Sequence, residues 1–215
     1  MTRSLLVLGH GGHGRVVADA ALDCGYDEIA FLDDAAHMHH PDGARVLGPF
    51  AAAAEFAREW PAAIVAIGNG DLRLELFDML QRLAVQTPSI VHPSAVVSRG
   101  ATLGQGVFVA AGAVINVGAR IDDAAIVNTG ARIDHDCRIG MGSHIAPGAT
   151  LSGGVVVGER AWLGTGCSVR QGVTIGSRVL VGVGAAVVAD LAAGNTYAGV
   201  PARMLDKASD KAYHA

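Results

Sequence analysis

Two adjacent residues, His135 and Asp136, carry side chains that can move a proton near neutral pH. A neutral imidazole accepts a proton around pH 7, and a carboxylate beside it can hold the ring and stabilise the cation that forms. Nearer the start, Gly9, Gly11 and Gly14 spell G-x-G-x-x-G between an apolar run, SLLVLG, and a helical segment, RVVADAALDCG, that closes at Gly25. In that context glycines let backbone approach a phosphate, and the helix N-terminus offers free N–H groups. Asp33 and Asp34 end a second apolar run, EIAFLDD, at the spacing where an acid holds a ribose hydroxyl. His13 is preferred to His10 as a ligand-side residue because it sits beside the glycine turn.

Two different chain grammars must position these groups. Residues 1–86 alternate strand and helix: after EIAFLDD come a helix over FAAAAEFAREW, a buried strand in AAIVAIGNG, and a helix over DLRLELFDMLQRL with Asp71 as its N-cap. This order predicts an α/β domain, a small Rossmann-like parallel sheet flanked by helices. Only three strands precede the change of grammar, so half of a dinucleotide fold is missing. A mononucleotide or nucleotide-sugar suits it better than NAD.

Residues 87–215 form the second domain, where 17 uninterrupted hexads run from IVHPSA to AVVADL over 102 residues. The second position is Val, Leu or Ile in all 17, and the sixth is Ala in nine. An α-helix drifts out of phase with six and a plain strand repeats every two, so a parallel β-helix is predicted. Three short strands make one coil of 18 residues, and the run spans about 5.7 coils. Positions two and six point inward, which makes Cys137 and Cys167 small apolar filler. His135 and Asp136, at positions four and five, and His144, at position one, face outward. One coil beyond His135 stands Gly153, whose unshielded N–H is a candidate donor to an oxyanion. Asn128 and Asp134 occupy third positions, where such residues serve corners.

Bulk properties narrow the classes. Aromatics are 5% of the chain, as a narrow aliphatic interior requires, and a net charge of −4 with two lysines argues against a nucleic-acid partner. No apolar run approaches the roughly 20 residues of a membrane span, and no membrane partner is expected. Three cysteines without metal-like spacing point to a reduced, cytoplasmic protein and no metal. The loop HMHHPDG, with His37, His39 and His40, reads as solvated because no acid or cysteine completes a ligand set. Only 13 charged residues lie on the hexads, and such flat faces invite self-association.

The hexads resemble the left-handed β-helix acyltransferase superfamily. The ordered phrases LGHGGHG, FLDD, AIGNGDLR, IVHPSA, IVNTGARIDHDC and AGVPARM resemble the bacterial sugar acetyltransferases of the N-acetylbacillosamine (PglD-like) and sialic-acid (NeuD-like) type. The handedness comes from that resemblance. It implies acetyl-coenzyme A as co-substrate, a UDP-linked sugar near Gly12, His13, Gly14, Asp33, Asp34, Asn69 and Arg73, and N-acetylation of a 4-amino-4,6-dideoxy sugar. It also implies a cyclic homotrimer with coenzyme A in the groove between neighbouring prisms, where Gly153, Ala161, Gly164 and Gly182 lie at coil edges and His144 sits near the sulfur or the acceptor. The family carries Glu after the catalytic His; Asp136 is one methylene shorter. Sialic acid O-acetylation and N-acetylation of a GDP-linked perosamine-type sugar are the enzymatic alternatives. A solenoid scaffold without chemistry is the rival of another class, and the His135–Asp136 pair argues against it.

Overall fold

In the computed structural model, residues 3–35 and 44–205 are described; His37, His39, His40 and both lysines lie outside them. Strands β1 (Ser4–Leu8), β2 (Glu28–Leu32), β3 (Val46–Gly48) and β4 (Ala63–Val65) form one parallel sheet in the order β3-β2-β1-β4. The edge strand β3 is one more than the sequence reading contains. Its three residues are too few to show a period, and it forms because Phe31 N–H and Asp33 N–H find the carbonyls of Arg45 and Gly48. Helix α1 (Gly12–Asp23) ends at Cys24, and Gly25 follows with φ +82°. The helix expected over 50–60 is a 3₁₀ turn, Phe50–Ala52, followed by a short α2 (Ala53–Phe56). Helix α3 (Gly70–Arg82) is capped by Asn69, whose side chain accepts from the N–H groups of Asp71 and Leu72. Asp71 is therefore inside the first turn, not at the cap.

From Ile90–Val91 to Ala186–Val187 every hexad supplies one two-residue strand, at its first and second positions. Strands 18 residues apart pair in parallel: Ile126–Val127 on His144–Ile145, His144–Ile145 on Trp162–Leu163. The result is a three-faced prism with sheets of five, six and eight strands. The eight-stranded face gains Thr196–Ala198 and the antiparallel Arg203–Met204 from the tail. Side chains at positions two and six fill the interior, among them Ile115, Ile133, Cys137, Ile145, Leu163 and Cys167. Each fully buried Val, Leu or Ile contributes about 1.5–3 kcal/mol relative to exposure. From Gly106 to Gly184 the corner residues at position five adopt positive φ and are mostly glycine; Ala124, Asp136, Arg160 and Arg178 are the non-glycine members of that column.

The α/β domain covers the eight-stranded face. Ile90, Phe108, Ala110 and Ile126, all outward from the prism, share a core with Leu5, Val7, Val17 and Ala21. Ala124 packs with Leu74, Phe77 and Leu80 of α3 on the other side of the sheet. Between them lies Arg73, 1% exposed. Its guanidinium donates to the carbonyls of Ala124 (2.8 Å), Gly68 (2.9 Å) and Ser143 (3.4 Å), and to those of Ile67 and Gly142. Outside this junction Asp71 pairs with Arg160 (3.0 Å) and Arg178 (2.7 Å) on successive coils.

Arg73 thus ties the loop before α3 to two prism corners. Arg73→Leu strands buried carbonyls and is expected to cost at least about 3 kcal/mol, whereas Arg178→Ala, at a half-exposed ion pair, is expected to cost under about 1 kcal/mol. Thermal unfolding of the two variants checks the ranking; equal losses would remove Arg73 from this role.

Candidate active site

The carboxyl ends of β1, β2 and β4 converge on a cleft of about 350 Å³ lined by Gly9, Gly11, Gly12, His13, Asp33, Phe50, Ala66, Ile67, Gly68 and Leu72. This is where an open parallel sheet binds ligands. Gly9 takes φ +113°, and a Cβ on Gly14 would lie 1.9 Å from the Gly9 carbonyl oxygen. That contact holds the helix start against the strand end. Around Gly11 and Gly12 no atom stands within 4 Å of such a Cβ, so a ligand can approach the backbone there. Asp33 faces the cleft but also accepts from His10 N–H (2.6 Å) and Ala35 N–H (2.8 Å), which shapes the loop. Asp34 accepts from Phe50 N–H (3.0 Å).

Two expected sugar contacts have other positions. Asn69 spends its side-chain oxygen on the α3 cap. Arg73 is enclosed behind the cleft wall with its donors on carbonyls, so it supports the loop at Ile67 and Gly68 and presents no exposed face. Phe50, Ile67 and Leu72 were not legible as cleft residues, because an apolar lining has no chemical signature in sequence.

His144 leaves the prism as its hexad position requires, but the α/β domain half-buries it. Its Nδ1 accepts from Trp162 Nε1–H (3.1 Å), its Nε2 lies 3.0 Å from Asn128 Nδ2, and the His13 ring centroid is 6.1 Å away. His13 stacks edgewise on Phe108 at 5.5 Å. Burial, with Arg73 adding repulsion, pulls His13 down to about 4 and His144 to about 3, so both rings are neutral at pH 7. Trp162 was not singled out in the sequence. The register would have found it, since it stands one coil beyond His144.

His135 and Asp136 sit at a different edge, after the Arg132–Ile133 strand of the six-stranded face. The imidazole Nδ1 contacts Asp136 Oδ2 at 2.8 Å. This pairing puts the ring proton on Nδ1 and leaves the Nε2 lone pair open to accept. The Asp136 contact and then the nearby Asp134 charge raise the His135 pKa above its usual value. Adjacent side chains would diverge on a strand, but Asp136 has φ +60°, and the corner swings its carboxylate back to the ring. Asp134 caps the corner by accepting from His135 N–H (2.8 Å) and Asn116 Nδ2–H (2.9 Å).

Gly153 stacks over that ring. A Cβ there would lie 2.5 Å from both Cε1 and Nε2 of His135. Its φ lies outside the left-handed range, so close approach to the ring is what excludes a larger residue. The Gly153 N–H finds no acceptor among the described residues. A cleft of about 250 Å³ adjoins this edge, lined by Val114, Asn116, Arg132, Ile133, Asp134, Thr150, Leu151 and Ser152.

Three residues expected at coenzyme contacts lie within the coil stack. Ala161 points into the prism, 1% exposed, with its N–H on Ser143 Oγ and its carbonyl accepting from His144 N–H. Gly164 and Gly182 are buried and their N–H groups bond Val181 and Tyr197 carbonyls in the stack. A Cβ on Gly164 would lie 2.5 Å from the Val181 oxygen, so coil spacing demands glycine there. The exposed part of that corner is Thr165–Gly166 and Val183–Gly184. Cys137 and Cys167 are fully buried thiols, the latter pushed up to about 12 by burial. No group of metal-holding side chains occurs among the described residues.

An α/β nucleotide-type cleft docked on a left-handed hexapeptide prism, with an outward His–carboxylate pair, defines the class of two-domain β-helix acyltransferases. The PglD N-terminal domain family matches residues 4–80. The acetyltransferase domain of PglB from Neisseria gonorrhoeae, solved with acetyl coenzyme A, is similar at 41% identity, with a TM-score of 0.90 over 95% of this chain and 100% of that one. PerB from Caulobacter crescentus, solved with CoA and GDP-perosamine, is similar at 40% identity and a TM-score of 0.90, over 94% and 97% of the chains. The UDP-N-acetylbacillosamine N-acetyltransferase of Bacillus subtilis is 37% identical over 113 residues, covering 51% of this chain and 52% of that protein. The match thus spans about half the length of that curated relative. The chain belongs to the PglD-type family of bacterial sugar N-acetyltransferases.

Gly153→Ala is expected to push the His135 ring aside and lower kcat at least about 10-fold while leaving the melting temperature nearly unchanged, since its backbone angles suit alanine. Unchanged kcat would detach Gly153 from the site. The histidines His13 and His144 also set an acid limit. Their folded pKa values lie below the unfolded value, so their contribution to stability is present above about pH 6.5 and is lost as pH falls toward 4 and 3. Unfolding free energy should fall over that window, and His144→Gln should flatten the slope.

Proposed function

We propose that this protein transfers the acetyl group of acetyl-coenzyme A to the amine of a UDP-linked 4-amino-4,6-dideoxy sugar, with His135 as general base. The observation that carries it is the His135 ring, held by Asp136 with Nε2 free and Gly153 N–H unspent beside it. The cleft at Gly11, Gly12, His13, Gly14 and Asp33 grips the nucleotide, with Asp34 shaping its rim. Acetyl-coenzyme A supplies an activated acyl carbon. His135 Nε2 takes the proton of the sugar amine as its nitrogen bonds that carbon. Gly153 N–H donates to the carbonyl oxygen as it gains charge. The C–S bond breaks, the amide remains on the sugar, and the imidazolium returns its proton to the leaving thiolate.

The α/β domain covers one prism face and His135 rides the edge between the other two. A sugar held by one chain therefore meets the His135 of a second. This supports a homotrimer with the reaction at its boundaries, and the exposed Val117, one coil from His135, favours contact there. The coenzyme's arm lies along the cleft beside Asp134 and Ser152. Three free thiols suit a reducing cytoplasm.

The likeness to PerB favours a second reading, a GDP-linked amino sugar. The named relatives are N-acetyltransferases, which favours an amine over the hydroxyl of sialic acid. Melting curves with UDP, GDP and CMP separate the carriers, since a ligand that binds only the folded state raises the melting temperature. Stabilisation by UDP alone is expected; stabilisation by GDP alone would replace the donor of the sugar. His135→Ala is expected to lower kcat by at least about 10²-fold with the assembly intact, and retained activity would remove it from the mechanism. Activity should rise with pH through the His135 pKa, and Asp136→Asn, which removes the charge that raises it, should move that limb to lower pH.

A further inference from the structure

We propose that Trp162 is a positioning residue that fixes the tautomer of His144, placing the ring's one proton on Nε2 as a donor to an oxygen of a bound substrate. The proposal rests on the acetyl-transfer reading and extends it to a second histidine. Trp162 and His144 are direct partners on successive coils, and the indole Nε1–H points at His144 Nδ1 from 3.1 Å with the rings edge-to-face. An indole nitrogen can only donate, so Nδ1 must carry a lone pair. The ring is half-buried beneath the α/β domain, and that burial, with the Arg73 charge adding to it, keeps it neutral. A neutral imidazole has one proton, and with Nδ1 bare it is on Nε2.

That proton has no acceptor among the described residues. Nε2 faces the Asn128 amide nitrogen at 3.0 Å, while Asn128 Oδ1 already accepts from Thr129 N–H (2.8 Å) and Thr129 Oγ1 (3.3 Å). Turning the amide over would satisfy the imidazole only by giving up the Thr129 bonds. Indole, imidazole and amide thus bring donors to a network with one ring lone pair, and it is short of one acceptor. Part-buried donors left in that state are costly, and an oxygen from a ligand completes the set. The position suits one. His13 connects the ring to the nucleotide cleft, and Trp162 also lines a neighbouring groove of about 310 Å³ that shares Gly68 with that cleft. The acceptor is a sugar or phosphate oxygen arriving from the first, or the thioester carbonyl from the other side.

Nitrogen-15 NMR of histidine-labelled protein reads the tautomer without any variant. The expected spectrum has His144 with a protonated Nε2 and a bare Nδ1, unchanged from pH 5.5 to 8, a window in which an unperturbed imidazole titrates at about 6.5. A protonated Nδ1 would overturn the assignment and leave the acetyl-transfer reading standing. Adding UDP, and separately acetyl-coenzyme A, should move the Nε2–H resonance with one of them, identifying the source of the oxygen; no response to either overturns the donor role. Trp162→Phe keeps an aromatic ring but removes the N–H. It should mix the tautomers and lower kcat about 10-fold, the scale of one lost hydrogen bond, with little change in KM for the nucleotide sugar. A shifted tautomer with unchanged kcat would overturn the positioning role. Failure of the wild-type protein to acetylate any amino sugar would instead sink the reaction reading, while the spectrum would still report the tautomer.

Discussion

Each coil residue stands directly on the residue 18 before it, and this register places every group that the prism contributes to the site. Inward positions stack aliphatics into one continuous core, so the spacing of coils is set by packing and tolerates little slack. The outward columns inherit the same order. Gly153 lies on His135, and Trp162 lies on His144, because the ladder beneath leaves no other arrangement. A site built on such a ladder is held by rigid elements with few adjustable loops.

The corners show where function has displaced the default residue. Most fifth positions hold glycine at positive φ, where an L-residue costs about 1–2 kcal/mol. Asp136 occupies one of them, and there its carboxylate reaches the neighbouring imidazole. Arg160 and Arg178 occupy two more and converge on Asp71. Ala124 is the fourth, and its carbonyl receives Arg73. The four non-glycine corners at positive φ are tied to the α/β domain or to His135. Local strain is accepted where a contact depends on it.

Arg73 is a buried cation without a carboxylate. Five carbonyls solvate it, and its charge lies between the nucleotide cleft and the prism. Burial lowers its own pKa to about 10, yet it remains protonated at pH 7. Burial first, and then the same charge, holds His13 and His144 neutral, so the side chain that docks the domains also adds to the pull on two rings. His135 stands in the opposite condition, exposed and raised by carboxylates. The two kinds of histidine differ by environment alone, and the environment is made by which prism face the α/β domain covers.

The sequence by itself determined the prism, its register and the inward positions, because a six-residue aliphatic period has one geometric solution. It also determined the glycine turn with Asp33 and the stacking of Gly153 on His135, since both follow from spacing. It could not assign Arg73, Asn69, Ala161, Gly164 or Gly182. Whether a polar residue faces a ligand or a carbonyl depends on what packs over it, and a glycine needed for coil spacing reads the same as one needed for a ligand. The pairing of the edge strand Val46–Gly48 with β2 and the cover that the α/β domain places over His144 were decided only by the tertiary structure, whereas Trp162 stands beside His144 by register. Long-range contacts of that kind leave no period in the chain.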